Sequence, residues 1–149
     1  MGRREELLHA EELGWRQLNE LLDGLSDEDL VEPYGADGWS ARDVMWHIAC
    51  WAADCARALD QMAAGVFTGQ IPAEDTETVN RRLLEQSRGL DPATVRADWH
   101  PTRTMMVERF AALHPLTPDA DEWFDEAGPR HYEEHVPDLR AWVEGRRRP

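Results

Sequence analysis

Lysine is absent from this chain: all sixteen basic residues are arginine. Schiff-base chemistry on a lysine amine is thereby excluded, and every cationic contact falls to a guanidinium. Basic charge is also scarce, sixteen residues against thirty acidic ones, for a formal net charge of -14. Such a balance repels phosphate backbones and anionic lipid headgroups, which excludes nucleic acid and membrane surfaces as partners. No apolar run approaches the ~20 residues needed to cross a bilayer. The opening Met1-Gly2-Arg3-Arg4-Glu5-Glu6 has no apolar stretch behind its arginines and does not read as a signal peptide. Gly2 has no Ser or Thr placed to complete a myristoylation signal. There are only two cysteines, Cys50 and Cys55, five apart on one expected helix. Their side chains diverge and their Cα atoms fall roughly 8 Å apart, too far for a disulfide. A reduced, cytoplasmic protein is expected. Strand-type alternation and internal repeats are missing as well.

What is present suffices for one core. The chain has 149 residues, 42% of them apolar, and seven tryptophans. This predicts a single domain over 1–149 rather than a disordered acidic tail. So many tryptophans in a short chain also predict an apolar face that pairs two copies into a homodimer.

Helical periodicity runs through most of the sequence. Residues 3–24 place Leu7, Leu8, Trp15, Leu18, Leu22 and Leu25 on one face. A loop over 26–39, with one helical turn at 27–30, leads to a helix over 40–64 that Gly65 ends. A second loop over 65–73 closes with Ile71-Pro72. A third helical segment follows over 74–88, ended by Gly89. Asp91-Pro92 restarts a helix over 92–113, with Val95, Trp99, Thr102, Met106, Phe110 and Leu113 inward. Pro101 predicts a kink or break in it. Residues 114–128 are rich in Pro and Asp and are expected to form a short packed turn around Trp123 and Phe124. A last helix runs from Gly128-Pro129 to Glu144, with a bend at Pro137, before the basic tail Arg146–Pro149. Four long amphipathic segments make an all-α antiparallel helix bundle the default.

Two stretches carry chemistry. In Gly38-Trp39-Ser40-Ala41-Arg42-Asp43-Val44-Met45-Trp46-His47, Ser40 is an N-cap and Asp43 sits at the third helical position. The helical wheel then puts His47 beside the core stripe of Val44, Ile48, Trp51, Cys55, Leu59 and Met62. Near the end, His131-Tyr132-Glu133-Glu134-His135 sets two histidines four apart, one turn from each other on one face. Leu139 and Trp142 continue that face inward. Three neutral imidazoles, His47, His131 and His135, bind a divalent transition metal and leave a coordination position open, as catalytic sites do. A lone histidine on an apolar helix is more often structural. Three at compatible positions in two distant motifs favour the metal.

Other polar residues have bland and sharp readings. Cys50, one turn past His47, is a candidate fourth ligand that would make the site structural, or a small buried residue. Glu134 is a candidate general base within one water of the ion, or a charge on a solvated face. Asp54 is also near the site on the wheel. Glu11 falls on the apolar face of the first helix. It either snorkels or pairs with an arginine, or it supports a ligand as a hydrogen-bond partner. Trp51 and Trp142 read as core, or as walls at the open end of a bundle. His9, His100 and His114 read as solvated or structural.

The run from Gly38 to Trp51 and the run His131–Trp142 together resemble the signatures of the DinB/YfiT-like superfamily. The likeness is closest to members grouped with ClbS/DfsB and the maleylpyruvate isomerase N-terminal domain. It extends from the first helix to Trp142. The resemblance implies a four-helix bundle with up-down-down-up connections. It also implies zinc or nickel held by three histidines, which match His47, His131 and His135. Members include thiol transferases, mycothiol-dependent isomerases and a hydrolase of a reactive genotoxin.

The expected function is therefore a metal-dependent enzyme that activates a low-molecular-weight thiol, or water, against a small electrophilic substrate. A non-catalytic bundle that binds a metal or small ligand is the alternative, and a purely structural homodimer a third. Fold likeness supports the metal more than any substrate.

Overall fold

The computed structural model describes residues 1–35, 37–69 and 74–147. Among them the fold is all-helical: α1 Arg3–Leu22, α2 Asp27–Leu30, α3 Ala41–Ala64, α4 Thr76–Arg88, α5 Pro92–Ala112, α6 Pro118–Ala127 and α7 Pro129–Arg147. The nearest approach to a strand is an isolated bridge between Pro33 and Ser40. No described helix is long and apolar enough to cross a membrane. The Ile71-Pro72 loop end and the last two residues of the basic tail lie outside the described residues.

The helix ends follow local chemistry. Ser40 and Asp43 form a reciprocal cap. The Ser40 amide donates to Asp43 Oδ2 at 2.9 Å and the Asp43 amide to Ser40 Oγ at 3.3 Å. Gly65 ends α3 in the left-handed region, φ 74°, where a side chain would be strained. Asp91 caps α5 with Pro92 at its first turn.

Three expectations need correction. Residues 118–127 form a helix rather than a packed turn. Thr117 accepts the Ala120 amide at 3.2 Å and Pro118 stands at the first position. The Pro and Asp richness there is a helix start, with acids against the positive helix end. Pro101 does not break α5, which runs unbroken from Pro92 to Ala112. The Thr102 hydroxyl donates to the Asp98 carbonyl at 2.8 Å, close to the turn that proline disturbs. Helix α7 does not stop before Gly145 but runs on to Arg147, with Pro137 inside it.

Packing centres on α3, which lies along α5 and also meets α4, α6 and α7, while α1 pairs with α7. Two apolar clusters result. One gathers Trp15, Leu18, Ile48, Trp99, Tyr132 and Leu139. The other gathers Leu7, Cys55, Leu59, Met106, Phe110 and Phe124, with the Phe110 and Phe124 rings stacked at 3.9 Å. None of the seven tryptophans is exposed. Three use their indole N–H as well: Trp99 donates to Asn19 and Trp51 to Asn80, both at 2.9 Å, and Trp46 donates to Gln86 at 3.4 Å.

Glu11 stands one turn from Leu7 and one turn from Trp15, between the two clusters, and is fully buried. Arg103 of α5 clasps it through both nitrogens of its fork, and Tyr132 of α7 donates its hydroxyl to Glu11 Oε2 at 2.8 Å. The arginine pairing accounts for this carboxylate, and no hydrogen bond joins it to a histidine of the expected site. Gly14, one turn before Leu18 on α1, makes the contact with α7 possible. A Cβ there would stand 2.8 Å from the Tyr132 ring.

Candidate metal centre

His47 occupies the second turn of α3, one turn beyond the Ser40–Asp43 cap. The cap is anchored from outside, because the Ser87 hydroxyl on α4 donates to Asp43 Oδ1 at 2.6 Å. That bond joins the end of α4 to the start of α3 and fixes the turn that presents His47. His131 lies in the first turn of α7, two residues past Pro129, and His135 one turn further on.

The three rings meet. His47 and His131 have centroids 4.6 Å apart, His47 and His135 5.3 Å, and His131 and His135 5.0 Å. One nitrogen from each lies within 4.8 Å of the others, a group able to hold a metal ion. Cys50 is outside that group. Asp54 is tied to Arg57. Both cysteines are free thiols.

Electrostatics at the three rings favour the lone-pair form. His47 and His131 are each 6% exposed. Burial lowers the His47 pKa to about 3, with His135 adding to the effect. Burial, then His47 and His135, carry His131 well below its ordinary value, the Ala127 carbonyl pulling weakly the other way. Burial lowers His135 too, opposed by Asp138 and Asp37. His47 Nδ1, His131 Nδ1 and His135 Nε2 are buried with no hydrogen-bond partner among the described residues. A buried polar atom left bare costs about 1–3 kcal/mol. Three rings that meet, each with a bare nitrogen, fit a bound cation, because neutral imidazoles are its usual donors. Cys50 is different: burial, then Asp54, push its thiol up to about 12, which keeps it protonated and a poor ligand.

Trp39, just before the cap, meets His47 edge-on at 5.2 Å and lies nearly parallel to His135 at 6.5 Å. It covers one side of the centre. Trp142 lies at that end of the molecule too, stacked on Tyr34 at 4.9 Å, and is not a cavity wall. The other side opens into a cavity of about 470 Å³. His47 and Trp51 of α3 line it, with His131, Glu134 and Arg130 of α7. Asn80 and the start of α4, at Asp75, form the facing wall, and Trp123 of α6 completes it. Glu134 is exposed at this mouth.

The three histidines that the sequence set in two distant motifs meet in the structure, and Trp51, for which core packing is the first expectation, lines the cavity with Glu134. Sequence reasoning missed Arg130, Asn80 and Trp123 as cavity walls. Arg130 precedes the first α7 histidine and was open to notice. Asn80 and Trp123 sit on helices whose placement no local pattern fixes.

No curated protein and no solved structure matches the chain. A family model does, that of the mycothiol maleylpyruvate isomerase N-terminal domain, over residues 12–144. That span includes both histidine motifs and every wall of the cavity, and the chain belongs to this DinB-like family.

Proposed function

We propose that this protein is a metal-dependent enzyme in which His47, His131 and His135 hold zinc or nickel. A low-molecular-weight thiol or water is activated there against a small electrophile, giving S-transfer, thiol-assisted isomerisation or hydrolysis. The family's name, which couples mycothiol to an isomerase, favours the thiol among these. The reading rests on one observation above all: three imidazoles, two buried and one half-buried, converge, each with a nitrogen that nothing in the described protein satisfies. When bound, the metal supplies a Lewis acid that brings a thiol or water pKa toward neutrality.

The remaining roles belong to the chain. The imidazoles stay neutral at pH 7 and keep their lone pairs available. Trp39 shields their far side from water. Glu134, exposed on the cavity side and three residues from His131, takes the proton released by the thiol or water and passes it to solvent. Trp51 and Trp123 bracket the space a small electrophile enters. In the same reading the four long helices carry the up-down-down-up connection, and the chain works as one domain paired into a homodimer.

The test is consumption of a small thiol by an electrophile such as an activated alkene, measured with metal-loaded and chelator-treated protein. Turnover that needs the metal and falls 10²-fold or more in Glu134→Gln supports the reading. Metal binding without turnover across several thiols and with water would replace it by a metal-binding bundle.

A further inference from the structure

The chain has two asparagines, Asn19 and Asn80, and each accepts an indole N–H at 2.9 Å, from Trp99 and from Trp51 respectively. An indole nitrogen can only donate, so each carboxamide turns its oxygen to the ring and its nitrogen away. Asn19 uses that nitrogen inside the protein, donating to the Trp15 carbonyl at 2.8 Å. The Asn80 nitrogen has no partner among the described residues, and Asn80 lines the cavity in front of the histidines. Val79 beside it and Leu83 one turn on are buried, which seats this stretch of α4 against the core.

The rest of the lining offers little to an acceptor oxygen. Glu74, Asp75, Glu126 and Glu134 bring acceptors of their own. Arg130 is already engaged, 3.2 Å from Asp125 and 3.6 Å from Glu126. The Thr76 hydroxyl and the Trp123 indole belong to the lining too, but no hydrogen bond among the described residues holds either in one orientation.

We propose that the Asn80 amide nitrogen donates to an uncharged acceptor oxygen on the electrophile, such as a carbonyl, and that Trp51 is the positioning residue that keeps the amide in this sense. The inference deepens the preceding reading and rests on it for the reaction. With a thiol or water in the open position of a metal on the three histidines, the electrophile's own oxygen has to be met by the facing wall, where Asn80 stands. The amide carries no charge, so its role does not depend on the balance between that cation and the acids around it. A donor already fixed by the indole loses little freedom when the oxygen arrives.

The experiment follows consumption of 2-mercaptoethanol by zinc-loaded protein with two electrophiles. One is N,N-dimethylacrylamide, which carries a carbonyl, and the other is allyl bromide, which carries no oxygen. Asn80→Asp keeps an oxygen for the Trp51 N–H and removes the donor. It should lower kcat/KM for the acrylamide about tenfold relative to the bromide. The added charge acts on the shared thiol and cancels in that ratio. Trp51→Phe, which frees the amide to rotate, should lower the same ratio by a smaller factor. Damage to the fold or loss of metal lowers both rates together, so an unchanged ratio in Asn80→Asp would overturn the inference.

A second arm needs neither metal nor turnover. In isotope-labelled, chelator-treated wild type, N,N-dimethylpropanamide, the unreactive saturated analogue, should move the side-chain amide proton resonances of Asn80 and leave those of Asn19 in place. If the Asn80 pair stays still, or both pairs move alike, the inference is overturned. If metal binds and neither electrophile is turned over, the enzymatic reading under Proposed function falls, and this arm alone decides whether Asn80 donates to a ligand.

Discussion

Tyr132 donates its hydroxyl to Glu11 at 2.8 Å, one residue along α7 from His131. Because Arg103 holds the same carboxylate from α5, three helices meet on a buried acid just behind the candidate metal centre. Tyr132 keeps its proton, since burial and the adjacent Glu11 charge both push its pKa well above the ordinary value. Replacing Glu11 by alanine removes the acceptor of the tyrosine hydroxyl and one of the two carboxylates that meet the Arg103 guanidinium, leaving Glu12. We expect a loss of about 2–3 kcal/mol in urea unfolding. Tyr132→Phe, which leaves the Arg103–Glu11 pair in place, should cost only about 1–2 kcal/mol.

Gly14→Ala separates helix propensity from packing. Alanine favours an isolated helix by about 1 kcal/mol over glycine. Here its Cβ would stand 2.8 Å from the Tyr132 ring, the side chain pinned by Glu11. Overpacking costs about 1–3 kcal/mol, so thermal unfolding should show a net loss of stability. A rise in Tm would mean that α1 and α7 are not held as closely as described.

The histidine cluster predicts a pH dependence for the metal-free protein. His47 has a folded-state pKa of about 3, below the ordinary value of roughly 6.5 for an unfolded chain. Between these two values the unfolded state binds the extra proton. Stability therefore rises with pH across that window and is lost as pH falls from about 6.5 toward 3. The slope is up to about 1.4 kcal/mol per pH unit for one imidazole held neutral. His131 and His135, also lowered by burial, add to the slope in denaturant titrations, and His47→Leu should reduce it without abolishing it. An unchanged slope in the variant would contradict the burial argument.

The cysteines make a simpler case. Burial raises the Cys50 thiol to about 12 and drives Cys55 higher still. Neither should react with iodoacetamide in the folded protein at pH 7, and Cys50→Ser should retain the full metal content of wild type. Loss of metal in that variant would make Cys50 a ligand.

The sequence was most legible where chemistry is local. Ser40 and Asp43 announce a helix start, and the turn they fix determines where His47 faces. The spacing of His131 and His135 puts both on one face of a single helix. The apolar stripe of α1 reads directly, and Glu11 stands out as the carboxylate within it. What could not be read is which arginine answers that acid, because Arg103 is ninety-two positions away. Helix α6 was hidden for a different reason. Its Thr117-Pro118-Asp119 start has the same composition as a loop, and only the capping bond from Ala120 to Thr117 distinguishes them. Asn80 and Trp123 reach the cavity through the packing of α4 and α6 against α3, a tertiary fact with no local signature.

The central claim is that one imidazole from α3 and two from α7 share a cation. The most direct test is elemental analysis of the untagged protein beside its His131→Ala variant, with folding of both checked by circular dichroism. The account predicts close to one transition-metal ion per wild-type chain and almost none in the folded variant. A variant that folds and keeps a full equivalent of metal would contradict it.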